Sequence, residues 1–177
     1  MEPLIDDFIQ SIKHMPSYKK QIVHIQEIPS KDVCYGELEK PLPENIQNCL
    51  LTREIHLYSH QAEAINQVRR GKNVVIVTPT ASGKTLAFNI PVLEALTMDP
   101  KATALYLYPT KALTNDQLKV LRELEDETGV QAYPNVYDGD TAQHQRASIR
   151  ENSKIILSNP YGLHQYLPWH YKRALNP

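Results

Sequence analysis

Residues 74 to 85 read V-V-I-V-T-P-T-A-S-G-K-T, a short apolar run that ends in a polar loop and then in Gly83-Lys84-Thr85. Three valines and an isoleucine in a row suit a strand covered on both faces, as in parallel sheets flanked by helices. A glycine-bearing turn that opens a helix aims successive backbone N–H groups at one point, and the helix dipole adds to their field, so the stretch predicts a phosphate-binding loop. Thr80, Ala81, Ser82 and Gly83 form its cradle. Lys84 would reach the β- and γ-phosphates, and the Thr85 hydroxyl would ligate Mg2+. The usual pattern G-x-x-x-x-G-K-[ST] asks for glycine where this chain has Thr78, so the assignment rests on context: an apolar run directly before and the amphipathic L-A-F-N-I-P-V-L-E-A-L directly after.

Bulk properties narrow the class. The 177 residues can bury the core of one domain with a small extension, and the composition, 41% hydrophobic and 22% charged, is that of an ordinary globular chain. A net charge of -1 supplies no overall basic field, so contact with nucleic acid would have to come from local loops. No apolar run is long enough for a membrane helix, and the acidic start M-E-P-L-I-D-D is unlike a secretory signal, so no membrane partner and a cytoplasmic location are expected. Cys34 and Cys49 lack metal-ligand spacing and are expected as reduced thiols.

Along the chain, Leu4, Phe8, Ile12 and Met15 share one face of an expected N-terminal helix. An extended arm follows over 18–43, and 1–42 is taken as a unit separate from a domain over 43–177. A short helix is expected over 43–51, and another over 56–70 with Ser59 as N-cap, Ala62, Ile65 and Val68 as its apolar stripe and Gly71 as its end. Gln61, at the start of that helix, has an amide that matches the N6/N7 edge of adenine, with Tyr58 placed to pack on the base. An exposed Gln beside a buried Tyr fits the spacing equally well.

After the loop come a helix over 84–97, a strand over 102–108, a helix capped by Thr110 and closed by Gly129 with Leu113, Val120, Leu121 and Leu124 inward, and a strand over 130–136 weakened by Pro134. A turn at Asp138-Gly139-Asp140-Thr141, a helix capped by Thr141, a strand over 154–157 and a last helix from Ser158-Asn159-Pro160 complete the series. Alternating strands and helices predict an open α/β, mostly parallel sheet. Ligands sit at the carboxyl ends of such strands, and T-P-T-A-S-G-K-T, P-T-K-A-L, D-G-D-T and S-N-P all fall there.

These loops, in this order, resemble the first RecA-like domain of the superfamily 2 DEAD/DEAH-box helicases. Gln61 resembles the Q motif, T-P-T-A-S-G-K-T motif I, P-T-K-A-L motif Ia, D-G-D-T the Ib region, and S-N-P-Y-G-L-H the T-N-P-D-x-L-H segment that precedes the DEAH strand. The wording is especially similar to that of MrfA/Hrq-type DNA-repair helicases, over about residues 40 to 168. The resemblance implies ATP and Mg2+ as cofactors, with Lys84 as the catalytic group, Thr85 on the metal, and Tyr58, Gln61 and residues 80–85 around the nucleotide. It also implies nucleic acid, as a DNA single strand, held by Pro109, Thr110, Lys111, Gly139, Asp140, Thr141, Asn159 and Pro160 through the sugar–phosphate backbone.

The departure from the pattern is a strand ending in D-E-x-[DH], which this chain lacks; E-D-E at 125–127 follows a charged helical run. Motifs III to VI and a second domain are also missing. The sequence therefore predicts an incomplete RecA-like domain, the N-terminal portion of a longer helicase. Its remainder would be a partner, and this chain alone would hydrolyse little ATP. The resemblance places the absent strands between those of motifs I and Ia. Two further classes compete with it: a small-molecule kinase, disfavoured because no Arg-rich lid segment occurs, and a non-catalytic nucleotide- and nucleic-acid-binding module completed by a partner chain.

Overall fold

The computed structural model describes residues 2–29 and 32–164, so the expected tail to 177 lies outside the described residues. Two compact units emerge, Met1–Val33 and Cys34–Pro177. The first holds α1 (Glu2–Lys13) and a following stretch without regular secondary structure. In the second, α2 (Glu44–Thr52), α3 (Ser59–Arg69) and α4 (Lys84–Met98) precede β1 (Ala104–Leu107), α5 (Lys111–Thr128), β2 (Asn135–Val136), α6 (Gln143–Asn152) and β3 (Ile155–Ser158).

The three strands form one parallel sheet in the order β1-β3-β2, with Leu105 opposite Ile156 and Val136 opposite Leu157. Each parallel step needs a crossover, and α5 and α6 are those crossovers. Ile155 and Leu157 of the central strand are fully buried. Ile90 and Leu93 from α4, Leu121 and Leu124 from α5, Ile65 from α3 and Ile46 from α2 join them in one core. Arg53 reaches from the end of α2 to Glu127 with two 2.5 Å hydrogen bonds. Beneath that pair Cys49 donates to the same carboxylate, and burial together with this bond pushes its thiol up to about 11, so it stays protonated near neutral pH.

The apolar run at 74–77 departs from expectation. It forms no ladder with a described strand, and Val75 and Val77 are 88% and 90% exposed. Val74 and Ile76 are half-buried, in a cleft shared with His60, Glu63, Ala64 and Gln67 of α3. The run is thus covered on one side only, and the doubly covered strand is β3. The free face of β1 is also apolar, with Leu105 52% and Leu107 45% exposed.

Smaller differences have local causes. The strand expected over 130–136 shrinks to two residues; before it, Ala132 O accepts from both Lys154 N and Ile155 N. Glu125 takes the N–H groups of Ala132 and Tyr133. Leu113 is 38% exposed and Val68 41%, so neither is a core position. Residues 34–42 of the expected arm, hereafter the arm, belong with the second unit because α3 grips them. Asn66 bonds Glu39 N–H (3.1 Å) and Glu37 O (3.3 Å), while Arg69 donates to Lys40 O and pairs with the largely buried Glu94 at 2.7 Å.

An unpaired apolar edge is a template for association. The chain is expected to self-associate as concentration rises, and Val75→Lys with Val77→Lys is expected to shift it toward monomer. Sedimentation velocity measures both, and a strictly monomeric unsubstituted chain would contradict the expectation.

Candidate nucleotide and nucleic-acid site

The loop expected to hold phosphate bends through two left-handed residues, Ala81 (φ 61) and Gly83 (φ 75), and α4 starts at Lys84. Such turns bring neighbouring N–H groups together as an anion-sized concavity. Its floor is the Gln61 amide, 2% exposed: Oε1 accepts from Tyr58 N (2.8 Å) and Nε2 donates to Gly83 O (2.6 Å). A Cβ at residue 83 would sit 2.6 Å from Gln61 Nε2, and with φ at +75 any other residue would be strained and would have to displace that amide. His60 adds a second tie, its Nε2–H donating to Ser82 O at 3.0 Å. The sequence assigned the N-cap of α3 to Ser59. It is Tyr58, whose N–H meets Gln61 instead, leaving Ser59 as the first helical residue.

Lys84 points into its own loop. Its ammonium donates to the carbonyls of Thr78 (2.8 Å) and Pro79, with the Thr78 and Ser82 hydroxyls each 3.3 Å away. Thr80 and Ala81 are exposed, and Ser82 and Thr85 half-buried. Lys84 thus has acceptors that a phosphate could replace, and Thr85 stands in the first turn of α4 beside them. No group of three His, Cys, Asp or Glu residues suited to a metal occurs among the described residues. Mg2+ at Thr85 would therefore depend on phosphate oxygens for its other ligands.

Beside the loop lies a cavity of about 310 Å3 whose walls include Tyr35, His56, Tyr58, Gln61, Gly83 and Leu86. Tyr35 and His56 were not anticipated. Tyr35 comes from the arm, where Gly36 N bonds Leu57 O and Ser59 N bonds Cys34 O, both at 2.9 Å, making an antiparallel bridge to Tyr58. The two tyrosine rings stack at 5.9 Å and 8°, and His56 meets Tyr35 edge-on at 5.6 Å. Gln61 keeps one N–H and one Oε1 lone pair beyond its two internal bonds, enough for the edge of a bound base.

The other predicted residues form a second cluster at the carboxyl ends of the strands. Pro109, Thr110 and Lys111 are exposed after β1, Thr110 capping α5 through Leu113 N (3.3 Å). Gly139 and Asp140 are exposed after β2, and Lys111 pairs with the Asp140 carboxylate, which raises the ammonium pKa. The D-G-D-T turn folds inward: Asp138 Oδ1 accepts from Asp140 N, and Thr141 Oγ1 accepts from Asp138 N, each at 2.9 Å. The expected cap of α6 is thereby spent inside the turn, and Ala142 occupies the N-cap position. Asn159 is half-buried and Pro160 exposed after β3, where Ser158 Oγ donates to Tyr137 O (2.6 Å) and Asn159 Oδ1 accepts from Gly162 N (2.8 Å).

Residues 58–176 match the family model described as DEAD/DEAH box helicase. The chain belongs to that family. It is 41% identical over 155 residues to the ATP-dependent helicase YprA of Bacillus subtilis, covering 86% of this chain and 21% of the relative. The ATP-dependent helicase HRQ1 of Saccharomyces cerevisiae is 36% identical, covering 94% of this chain and 16% of the relative. The crystal structure of the helicase MrfA bound to DNA and AMPPNP superposes with a TM-score of 0.83 at 38% identity, over 94% of this chain and 23% of that one. The α/β fold is thus the RecA-like fold of these helicases, and the chain spans about a fifth of the length of its relatives.

Gly36 tests how the arm builds the cavity. A Cβ there would lie 2.8 Å from Ser59 Cα and 2.9 Å from the Ala62 Cβ. Gly36→Val is expected to lift the arm and cost about 1–3 kcal/mol. Thermal melting measures the loss, and an unchanged melt would show the bridge unnecessary.

Proposed function

We propose that this chain is the ATP-binding and nucleic-acid-binding part of an ATP-dependent DNA helicase or translocase, with the remainder of a longer protein as its partner. The observation that carries the reading is Gln61, whose one amide ties the edge of an aromatic cavity to Gly83 of the phosphate loop. That arrangement suits a nucleotide with its base by Tyr58 and Tyr35, its phosphates on residues 80–85, and Lys84 exchanging carbonyl partners for phosphate oxygens. Thr85 would hold Mg2+, which when bound neutralises phosphate charge. Relatives named as ATP-dependent helicases support ATP as the nucleotide, and the DNA-bound MrfA structure supports DNA as the strand. Action in DNA repair is part of the same proposal.

The 177-residue chain is proposed to bind nucleotide without hydrolysing it by itself. Its one acidic triple, Glu125-Asp126-Glu127, ends α5, where Glu125 caps two backbone N–H groups and Glu127 pairs with Arg53. Those two carboxylates are committed to structure, so neither is available to position an attacking water. The exposed run 74–77 and the unpaired edge of β1 would receive strands from the remainder. No helix among the described residues is long and apolar enough to cross a membrane.

The Lys84→Ala chain is expected to lose the nucleotide-dependent stabilisation of the parent, about 2.7 kcal/mol at a hundredfold excess over Kd. Persistent stabilisation by ATP in that variant would refute the assigned phosphate site. Lys111→Ala is expected to weaken single-stranded DNA binding and to flatten its log–log salt dependence by about 0.7, one phosphate contact. An unchanged slope would remove Lys111 from the interface.

A further inference from the structure

We infer that Glu54 reads the exocyclic amino group of an adenine base, so that the aromatic cavity selects its base through a carboxylate as well as through Gln61. The inference rests on the nucleotide reading proposed above and names a specificity contact within that site. Glu54 lines the cavity of about 310 Å3 together with Tyr35, Tyr58 and Gln61. Its carboxylate accepts no hydrogen bond and joins no ion pair among the described residues.

The backbone at this residue is costly. Two hydrogen bonds close the end of α2, from Glu54 N to Leu51 O at 3.0 Å and from Ile55 N to Leu50 O at 2.9 Å. That closure calls for a left-handed residue after the cap Arg53, and Glu54 supplies it with φ 53. The end of α3 is closed by the same pair of bonds, from Gly71 N to Val68 O and from Lys72 N to Gln67 O, and there the left-handed residue is glycine, φ 74. Gly129 closes α5 in the same left-handed conformation. In that conformation a side chain is opposed by its own Cβ, and a carboxylate at a helix C-terminus meets the negative end of the dipole. Glu54 thus carries two penalties that glycine would avoid, and no side-chain bond within the domain offsets them. An outlier of this kind on the wall of a binding cavity points to a ligand contact.

The chemistry of the cavity selects the ligand group. An ionised carboxylate only accepts, and it repels phosphate, so Glu54 belongs with a donor at the base end of the nucleotide. Gln61, tied to Tyr58 N–H and Gly83 O, has one Oε1 lone pair left. That lone pair takes one N–H of the adenine amino group and leaves the other without an acceptor. Glu54 is the charged acceptor in the cavity wall, and a bond from that second N–H to a carboxylate is roughly twice as strong as one to a neutral group. A 6-oxo purine presents an oxygen at the same place and meets the carboxylate's charge instead.

The test measures the affinity of the chain for ATP, N6-methyl-ATP and 2′-deoxy-ATP by calorimetric titration in the presence of Mg2+. N6-methyl-ATP keeps one N–H for Gln61 and carries a methyl group in place of the N–H assigned to Glu54. The parent is expected to prefer ATP over N6-methyl-ATP by about tenfold or more. Glu54→Gly is expected to erase that preference while raising the melting temperature by about 2–4 °C. Stability gained together with discrimination lost is a split that a merely structural role would not produce. Equal binding of ATP and N6-methyl-ATP by the parent, a preference that survives Glu54→Gly, or a Glu54→Gly chain that melts below the parent overturns the inference and leaves the nucleotide reading standing. A preference for ATP over 2′-deoxy-ATP that vanishes in Glu54→Gly moves the contact to the ribose and overturns the base assignment. A parent that binds no ATP overturns both the inference and the nucleotide reading.

Discussion

The placement of the candidate phosphate loop depends on one buried amide. Gln61 offers its oxygen to Tyr58 N–H and its nitrogen to Gly83 O, so the first turn of α3 and the last residue before α4 cannot move independently. Leaving either group unpaired at 2% exposure would cost about 1–3 kcal/mol. The left-handed φ of Gly83 and its lack of a side chain are what let the amide approach to 2.6 Å. The arm adds to the same lock from outside, since Gly36 lets residues 34–36 bond the chain at 57–59 and lay Tyr35 on Tyr58.

This makes the loop a helix-held device rather than a sheet-held one. In a completed parallel sheet the strand before a phosphate loop is fixed by ladders on both sides. Here 74–77 touches α3 on one side and presents Val75 and Val77 outward on the other. The loop keeps its shape because Gln61 and His60 hold its far end and the Lys84 ammonium draws the carbonyls of Thr78 and Pro79 toward it.

The helices were legible in the sequence because their signals are local. Thr110 and Gly129 bracket α5, Gly71 follows α3, and Leu93 and Leu96 in α4 fall on the buried face that the 3.6-residue period required. The four loops were legible as turns because each joins an apolar stretch to a helix. What stayed hidden depends on pairing between distant residues. Nothing near Tyr35 announces that it will bridge residue 58, and nothing in V-V-I-V distinguishes a strand with two neighbours from one with none. Asn66 and Asn89 look like ordinary helix-surface amides, yet one grips the arm and the other, fully buried, accepts from Tyr106 OH at 3.0 Å. Thr141 was read as a helix cap from its position alone, and lost that role because Asp138 N–H offered a closer partner within the same turn.

The state of Lys84 bears on how such a loop can be both stable and ready to bind. An ammonium left without acceptors inside a half-buried loop would be costly, and the nearby carbonyls and hydroxyls remove that cost. They are neutral acceptors, however, whereas a phosphate oxygen carries charge and makes bonds roughly twice as strong. Under the proposed nucleotide reading, exchange of partners at Lys84 would favour the phosphate, since the same side chain would serve both arrangements. Gly83 and Gln61 hold the backbone in place during that exchange. In that reading the loop would take phosphate with its strand unpaired, while Glu125 and Glu127 are already engaged in holding α5 to its neighbours.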